Sequence, residues 1–373
     1  PTCGTITTHY DYHSINDRIV KLDILGHDDP TMIRMLDNML GEGYCKNIPV
    51  GDPDTMELFL STKSIGVSPE DIMTDVATYG VPECGTRFVR QMISDVKPKN
   101  FSDLLRISGY SHGTDVWLNN AQDLIKNGTP TEDTISTRDD IMNWLINKGM
   151  EPSMAFGIME WARKGKAHKQ GFKAEQEEAF KKANIPEFYI KSCKTLQYLF
   201  PKAHAVAYVL SAYRIAYCKV HHPKEFYSAY FTIRAPKFDF VEVHKGINFM
   251  RSFIKNVGQQ GTKASVNDKE TATYMELAVE MLARGFEFED VDLYRSDAHQ
   301  FIVTDKGLLP PLGAIGGIGG VAAENIVKAR SKGPFISRED LRNRAKISNT
   351  AVEVLADLGV LEGLPETDQI ELF

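Results

Sequence analysis

The sequence predicts a mainly α-helical chain of more than one domain, with a short β segment near its start. Three observations lead there. From about residue 50 to 235 the pattern is helical almost throughout, punctuated by Pro and Gly at plausible starts and stops. Residues 7–25 instead alternate apolar and polar positions, as strands do. Composition shifts again at Arg234-Ala235-Pro236, and 373 residues suffice for two or three domains, each with its own core.

Taken in order, His9-Tyr10-Asp11-Tyr12-His13 and Lys21-Leu22-Asp23-Ile24-Leu25 read as two short strands. In the second, Leu22 and Ile24 share one face and Asp23 points to the other. Asp29-Pro30 then opens a helix, Asp29 as N-cap, that runs to about Leu40 and stops near Gly41. Asp52-Pro53 and Ser68-Pro69 read as helix starts, Gly128 and Gly149 as stops. The run Ala203–Val220 is apolar nearly all round, which predicts a buried helix, ended by His221-His222-Pro223. Beyond Pro236 the pattern predicts helices around Phe240–Val257 and Lys269–Arg284 and a strand near Gln300–Val303. Two short helical units then fill 312–361, before a polar, unstructured tail.

Composition narrows the function classes. Apolar and charged fractions are those of an ordinary soluble protein, and no stretch approaches about 18 consecutive apolar residues, so no membrane partner is expected. The initial Pro suggests a processed chain or an excised fragment. Five scattered cysteines without a C-x-x-C pair argue against a zinc ribbon or a disulfide framework and fit a reducing cytoplasm. A net charge of −7 is awkward for a nucleic-acid partner, but charge is uneven. Between Trp161 and His204 ten Lys/Arg stand against four Glu. On charge alone, that stretch reads as a solvated helical face.

The hairpin Gly313-Ala314-Ile315-Gly316-Gly317-Ile318-Gly319-Gly320-Val321-Ala322-Ala323 looks like a helix–hairpin–helix element. Its glycines (Gly317, Gly319, Gly320) would let backbone N–H groups approach a DNA phosphate at a helix N-terminus, with Lys328, Arg330 and Lys332 in reach. Such contacts hold a duplex without reading its sequence. A turn used for packing alone is the alternative, and the unit 341–361 lacks the Gly-x-Gly signal.

Several segments, in order, resemble the C-family bacterial replicative polymerases, the alpha subunit of DNA polymerase III, with the PolC type as the nearest match. They are Thr8-His9-Tyr10-Asp11-Tyr12-His13-Ser14-Ile15, Lys21–Pro30, Gly85-Thr86-Arg87-Phe88-Val89-Arg90, Ile107–Trp117 and Phe200–Tyr208. The resemblance implies the end of a nucleotidyltransferase-type palm over 1–50 and helical fingers over 51–235. It implies a C-terminal duplex-binding domain over 236–365, with its helix–hairpin–helix at 312–361, and a clamp-binding tail over 366–373. Palm carboxylates, a nuclease-like domain and other modules of the family stand upstream of anything present here. The chain alone is therefore expected to be inactive, because one carboxylate cannot hold a two-metal site.

The resemblance makes Asp23 the third catalytic aspartate, a ligand in a site of two Mg²⁺ ions. In-line attack of a primer 3′-hydroxyl on a deoxynucleotide triphosphate needs two such ions about 4 Å apart. Carboxylate oxygens suit hard Mg²⁺. Blind to the family, Asp23 reads as a strand residue paired with Lys21. Asp28 and Asp29 are more simply helix-capping groups than ligands. Lys202 and His204 open a helix whose dipole disfavours cations, a conflict that a bound anion would remove. With Arg87, Arg90, Ser111, His112, Arg138 and Phe200 they form the expected nucleotide and template contacts. Each could instead be a structural ion pair or core group, and Trp117 reads as core. Gln369, Ile370, Leu372 and Phe373 resemble a sliding-clamp-binding peptide, although Ile370 and Glu371 depart from the usual residues. Expected partners are primer–template DNA, dNTPs, the sliding clamp and other replisome subunits, at the nucleoid. A clamp-tethering module and a repair nuclease or glycosylase are the rivals. The first would have no use for Asp23, and the second has no catalytic constellation here.

Overall fold

A computed structural model describes Gly4, Ile6 and residues 9–15, 18–20 and 26–368. The chain is built of helices: α1 (Tyr12–Ile15), α2 (Asp29–Leu40), α3 (Pro53–Glu57), α4 (Pro69–Ile72), α5 (Arg87–Val96), α6 (Phe101–His112) and α7 (Gln122–Lys126). They are followed by α8 (Arg138–Asn147), α9 (Pro152–Arg163), α10 (Lys166–Gln170), α11 (Ala174–Lys182), α12 (Glu187–Thr195), α13 (Lys202–His221) and α14 (Pro223–Ile233). Local chemistry sets their ends. The Asp52 carboxylate accepts from the Thr55 N–H at 2.8 Å ahead of Pro53, and Ser68 and Asp71 form a reciprocal capping box ahead of Pro69. Gly149, at φ +85°, follows α8 in the left-handed region open to glycine.

The C-terminal part holds α15 (Phe240–His244), α16 (Ile247–Gln260) and α17 (Val266–Ala283), then β1 (Glu287–Phe288), β2 (Ile302–Val303) and β3 (Gly307–Leu309). β3 is the central strand, parallel to β1 (Glu287 opposite Gly307) and antiparallel to β2 (Ile302 opposite Leu309). Then come α18 (Gly320–Arg330), α19 (Arg338–Ala345) and α20 (Asn349–Asp357). One aromatic cluster joins this part to the rest, with Phe231 of α14 5.3 Å from Phe238 and from Phe288, and Phe238 4.9 Å from Phe301.

Beside that cluster lies a buried polar knot. Lys219 of α13 donates to the carbonyls of Ala77 and Tyr79, both at 2.6 Å, and to Glu280 of α17 at 2.8 Å. Tyr227 of α14 donates to the other Glu280 oxygen at 2.7 Å, and Arg284 donates to the Lys219 carbonyl at 3.0 Å. Burial lowers the Lys219 pKa to about 8. Every donor of the ammonium is used, which is the condition for keeping a charge in a core.

Four expectations need correction. The segment expected as a first strand holds a short helix, Tyr12–Ile15, where it is described; Lys21–Leu25, with Asp23, lies outside the described residues. Among the described residues the strands sit at 287–309, where β2 and β3 pair as neighbours in sequence and β1 joins them. Asp28 rather than Asp29 precedes α2; Asp29 is the first helical residue and is buried. The helix expected over Phe240–Val257 breaks at Gly246, whose φ of +94° no helix contains. The run at Ala203–Val220 is one helix, but Ala203, Val206 and Ala207 are exposed, so its first turns keep one face open. Trp117 is buried, and no helix among the described residues is long and apolar enough to cross a membrane.

Candidate active site

Beside the open face of α13 runs an aromatic ladder of half-buried rings. His204 and Tyr208, four residues apart, share one side of the helix with ring centroids 4.4 Å apart, and Phe200, just before the helix, brings its ring to 4.9 Å from His204. Tyr198 continues the ladder 5.3 Å from Phe200, His112 from the end of α6 lies 5.4 Å from Phe200, and His27 lies 5.1 Å from Tyr208.

One carboxylate, Glu83, anchors His112. His112 Nε2 meets Glu83 at 3.0 Å, while its Nδ1 is 2.7 Å from the Ser108 carbonyl and 3.1 Å from the Ser111 hydroxyl. Bonded to acceptors on both sides, His112 is raised in pKa, chiefly by Glu83, and Glu83 is lowered, chiefly by His112. His204 is lowered, by burial first and then by the charge of His112. The two imidazoles, 6.1 Å apart, are thus pushed in opposite directions. Glu83 is a non-glycine residue with φ +64°, a conformation that the packing around it must hold.

Cations stand at the foot of α13. Lys202 contacts Asp140 at 3.6 Å through its ammonium, and its N–H donates to Asp139 at 2.7 Å. The Arg138 N–H donates to the Phe200 carbonyl at 3.1 Å, and its side chain lies 3.9 Å from Asp139. The chain thus supplies part of the negative charge that the helix start calls for, through Asp139 and Asp140.

The structure brings Ser111, His112, Arg138, Phe200, Lys202 and His204 together at one place. It puts Arg87 and Arg90 elsewhere. Arg90 is buried, stacks over Tyr79 at 4.3 Å and pairs with Glu276 of α17 at 3.4 Å; Arg87 is exposed on α5, near Gly258. Glu83, His27, Tyr208 and Asp139 belong to the site without having been picked out by sequence. Tyr208 alone carried a signal, its spacing of one helical turn from His204.

Among the described residues, one group of three His, Asp or Glu side chains sits close enough to share an ion: His27, Asp28 and Asp29, with ligand atoms within 4.8 Å. It does not fit Mg²⁺. Arg234 already grips Asp28 at 2.9 and 3.1 Å and lies 3.5 Å from Asp29, and one donor is nitrogen. Asp29 is buried with both oxygens lacking a well-aligned hydrogen bond, and burial raises its pKa.

In the C-terminal part, Ile315 and Ile318 are buried beneath the hairpin, Gly317 takes φ +92°, and Gly319 and Gly320 are exposed at the start of α18. Lys328 is exposed, whereas Arg330 donates to the Leu293 carbonyl at 2.7 Å. Gln369, Ile370, Leu372 and Phe373 lie outside the described residues.

Residues 29–185 match the model of the bacterial DNA polymerase III alpha subunit finger domain, and residues 285–369 match the helix-hairpin-helix motif model. The chain carries a DNA polymerase III finger domain. Nearly all of it aligns with PolC-type relatives: it is 54% identical over 98% of its length to the DNA polymerase III PolC-type of Oceanobacillus iheyensis. To those of Bacillus subtilis and Caldanaerobacter subterraneus it is 52% and 50% identical, over 98% and 99% of its length. The aligned stretch is a C-terminal portion of these relatives, 25%, 25% and 26% of their lengths in the order given. The aromatic ladder begins just beyond the finger-domain match, so the PolC-type finger region and the helix after it build the site between them.

Proposed function

We propose that the chain is the nucleotide- and duplex-gripping portion of a replicative DNA-directed DNA polymerase. The observation that carries this reading is the convergence of His112, Arg138, Phe200, Lys202 and His204 at the open start of α13, in a chain half identical to PolC-type polymerases along its length. The ladder offers rings to a base, and Lys202 and Arg138, with His112 beside them, offer positive potential to a triphosphate. Asp23 supplies one palm carboxylate to a pair of Mg²⁺ ions, which stabilise the attacking and leaving oxygens. The remaining carboxylates come from elsewhere in the parent chain, so this chain by itself extends no primer. The Gly317–Gly320 hairpin and Lys328 hold the product duplex, and Gln369, Ile370, Leu372 and Phe373 tether the chain to a sliding clamp within the replisome, at the nucleoid in the cytoplasm. Arg90 has no place in this grip, because its guanidinium is spent on Glu276.

The test is primer extension by the parent-length polymerase carrying Asp23→Asn, with primer–template affinity measured alongside. Loss of extension by several orders of magnitude with DNA binding retained supports the reading. Near-normal extension, or extension by the 373-residue chain alone, overturns it.

A further inference from the structure

Outside the ladder, lysines gather on α9, α10 and α12 and the turns beside them. α10 packs on both neighbours, so the three helices form one surface. Lys164, Lys166, Lys169 and Lys173 are exposed on it, and the Lys194 side chain is 41% exposed. Acids answer some of these charges: Glu160 lies 2.9 Å from Lys164, Glu175 3.7 Å from Lys173 and Glu177 4.0 Å from Lys194. Among the described residues no carboxylate comes within 4.0 Å of Lys166 or Lys169.

The ammonium groups of Lys166 and Lys173 both converge on the ring of Trp161, 4.9 and 5.1 Å from its centroid. Cation–π attraction of about 0.5–1 kcal/mol each opposes the repulsion between them; Glu175 answers Lys173 alone, 3.7 Å away. The surface runs into the site. Gly165, between α9 and α10, sits so close to Gln197 that a Cβ would lie 2.8 Å from its carbonyl. Tyr198, next to Gln197 in the chain and 46% exposed, is the outer rung of the ladder.

We propose that the lysine face of α9, α10 and α12, with the rings of Trp161 and Tyr198, carries a single strand of nucleic acid, the unpaired template, to the ladder; this rests on the polymerase reading of the ladder. A single strand fits because it presents phosphates and free bases together, which lysines interleaved with rings can take without sequence preference. A duplex hides its bases, and an acidic protein segment would use the lysines but leave the rings idle.

The test uses the full chain with Lys166→Glu and Lys169→Glu together, both exposed side chains. Anisotropy is read on a labelled duplex with a 5′ template overhang of about 12 nucleotides, enough to fill one site of the usual single-strand length, and on the same duplex made blunt. Wild type is expected to bind the overhang form at least ~10-fold tighter than the blunt one, and the variant to lose that gain. The variant's salt slope on the overhang form should fall by about 1.4, the value for two lost single-strand phosphate contacts. Blunt-duplex affinity and the melting curve should not move. Lys166→Ala with Lys169→Ala should give a smaller loss in the same direction. The proposal is overturned if the overhang adds nothing to wild type, or if the variant weakens blunt and overhang forms equally. It is also overturned if polyglutamate competes for the overhang gain as well as oligo-dT does, which would make this a surface for acidic proteins. The ladder reading fails separately: with the overhang gain intact, His204→Ala would then leave nucleotide-dependent binding unchanged.

Discussion

Lys219 and Glu280 meet at 2.8 Å with both side chains fully buried, one on α13 and the other on α17. The pair ties the helix that carries the ladder to the part of the chain that carries the hairpin. Lys219→Met leaves Glu280 as an uncompensated buried charge and is expected to cost about 3–5 kcal/mol in chemical denaturation. Adding Glu280→Leu to it should recover most of that loss. A single variant within about 1 kcal/mol of wild type, the scale of an exposed pair, would show that water reaches the knot.

The His112–Glu83 contact sets a pH window. The folded-state pKa of His112 is raised above 6.5, so its contribution is full below 6.5 and disappears as pH rises through the folded value. That of Glu83 is lowered below 4.5, so its contribution is full above 4.5 and disappears as pH falls through the folded value. The stability gap between wild type and His112→Asn should therefore be widest between these limits and shrink at alkaline pH. Denaturation midpoints that track each other across this range would refute it.

Asp29 gives the opposite sign to an ordinary carboxylate. Burial raises its pKa, so its ionisation at neutral pH works against folding. Asp29→Asn is expected to melt at or above the wild-type temperature at neutral pH, with an advantage that fades in acid. A marked fall, or a melting temperature that responds to Mg²⁺ only in the wild type, would mean that the carboxylate is needed ionised.

Two neighbouring cations on α18 should separate cleanly. Lys328→Ala is expected to weaken duplex binding at every sequence and to lower its salt slope by about 0.9, the value for one phosphate contact. Arg330→Ala should leave that slope alone and instead cost about 1–3 kcal/mol of stability, because the Leu293 carbonyl loses its donor. Salt-dependent anisotropy and denaturation distinguish the two.

The sequence reveals local events and hides those that need partners. Asp52-Pro53, Ser68-Pro69 and Gly149 declare helix ends because the groups that satisfy the backbone lie within a few residues. The start of α13 was legible as a charge conflict, but Asp139 and Asp140, which meet Lys202, lie more than sixty residues away in the chain. Arg90 reads as a phosphate ligand until Glu276 and Tyr79 are seen around it. Glu83 carries no signal at all, since its φ of +64° and its bond to His112 exist only in the folded chain. Gly246 could have announced the break in 240–260, but the amphipathic pattern on either side masked it.

α13 is a beam whose two ends are held differently. From Lys219 to His204 is fifteen residues, a rise of about 22 Å along a straight helix. The far end is clamped by four hydrogen-bonded partners in a dry core, while the near end stands open on one face. Bending stiffness then carries any tilt of the hairpin-bearing part to the ladder, amplified by the length of the arm. That tilt bears on residues 197–201, whose backbone is bonded to Thr114 and Arg138.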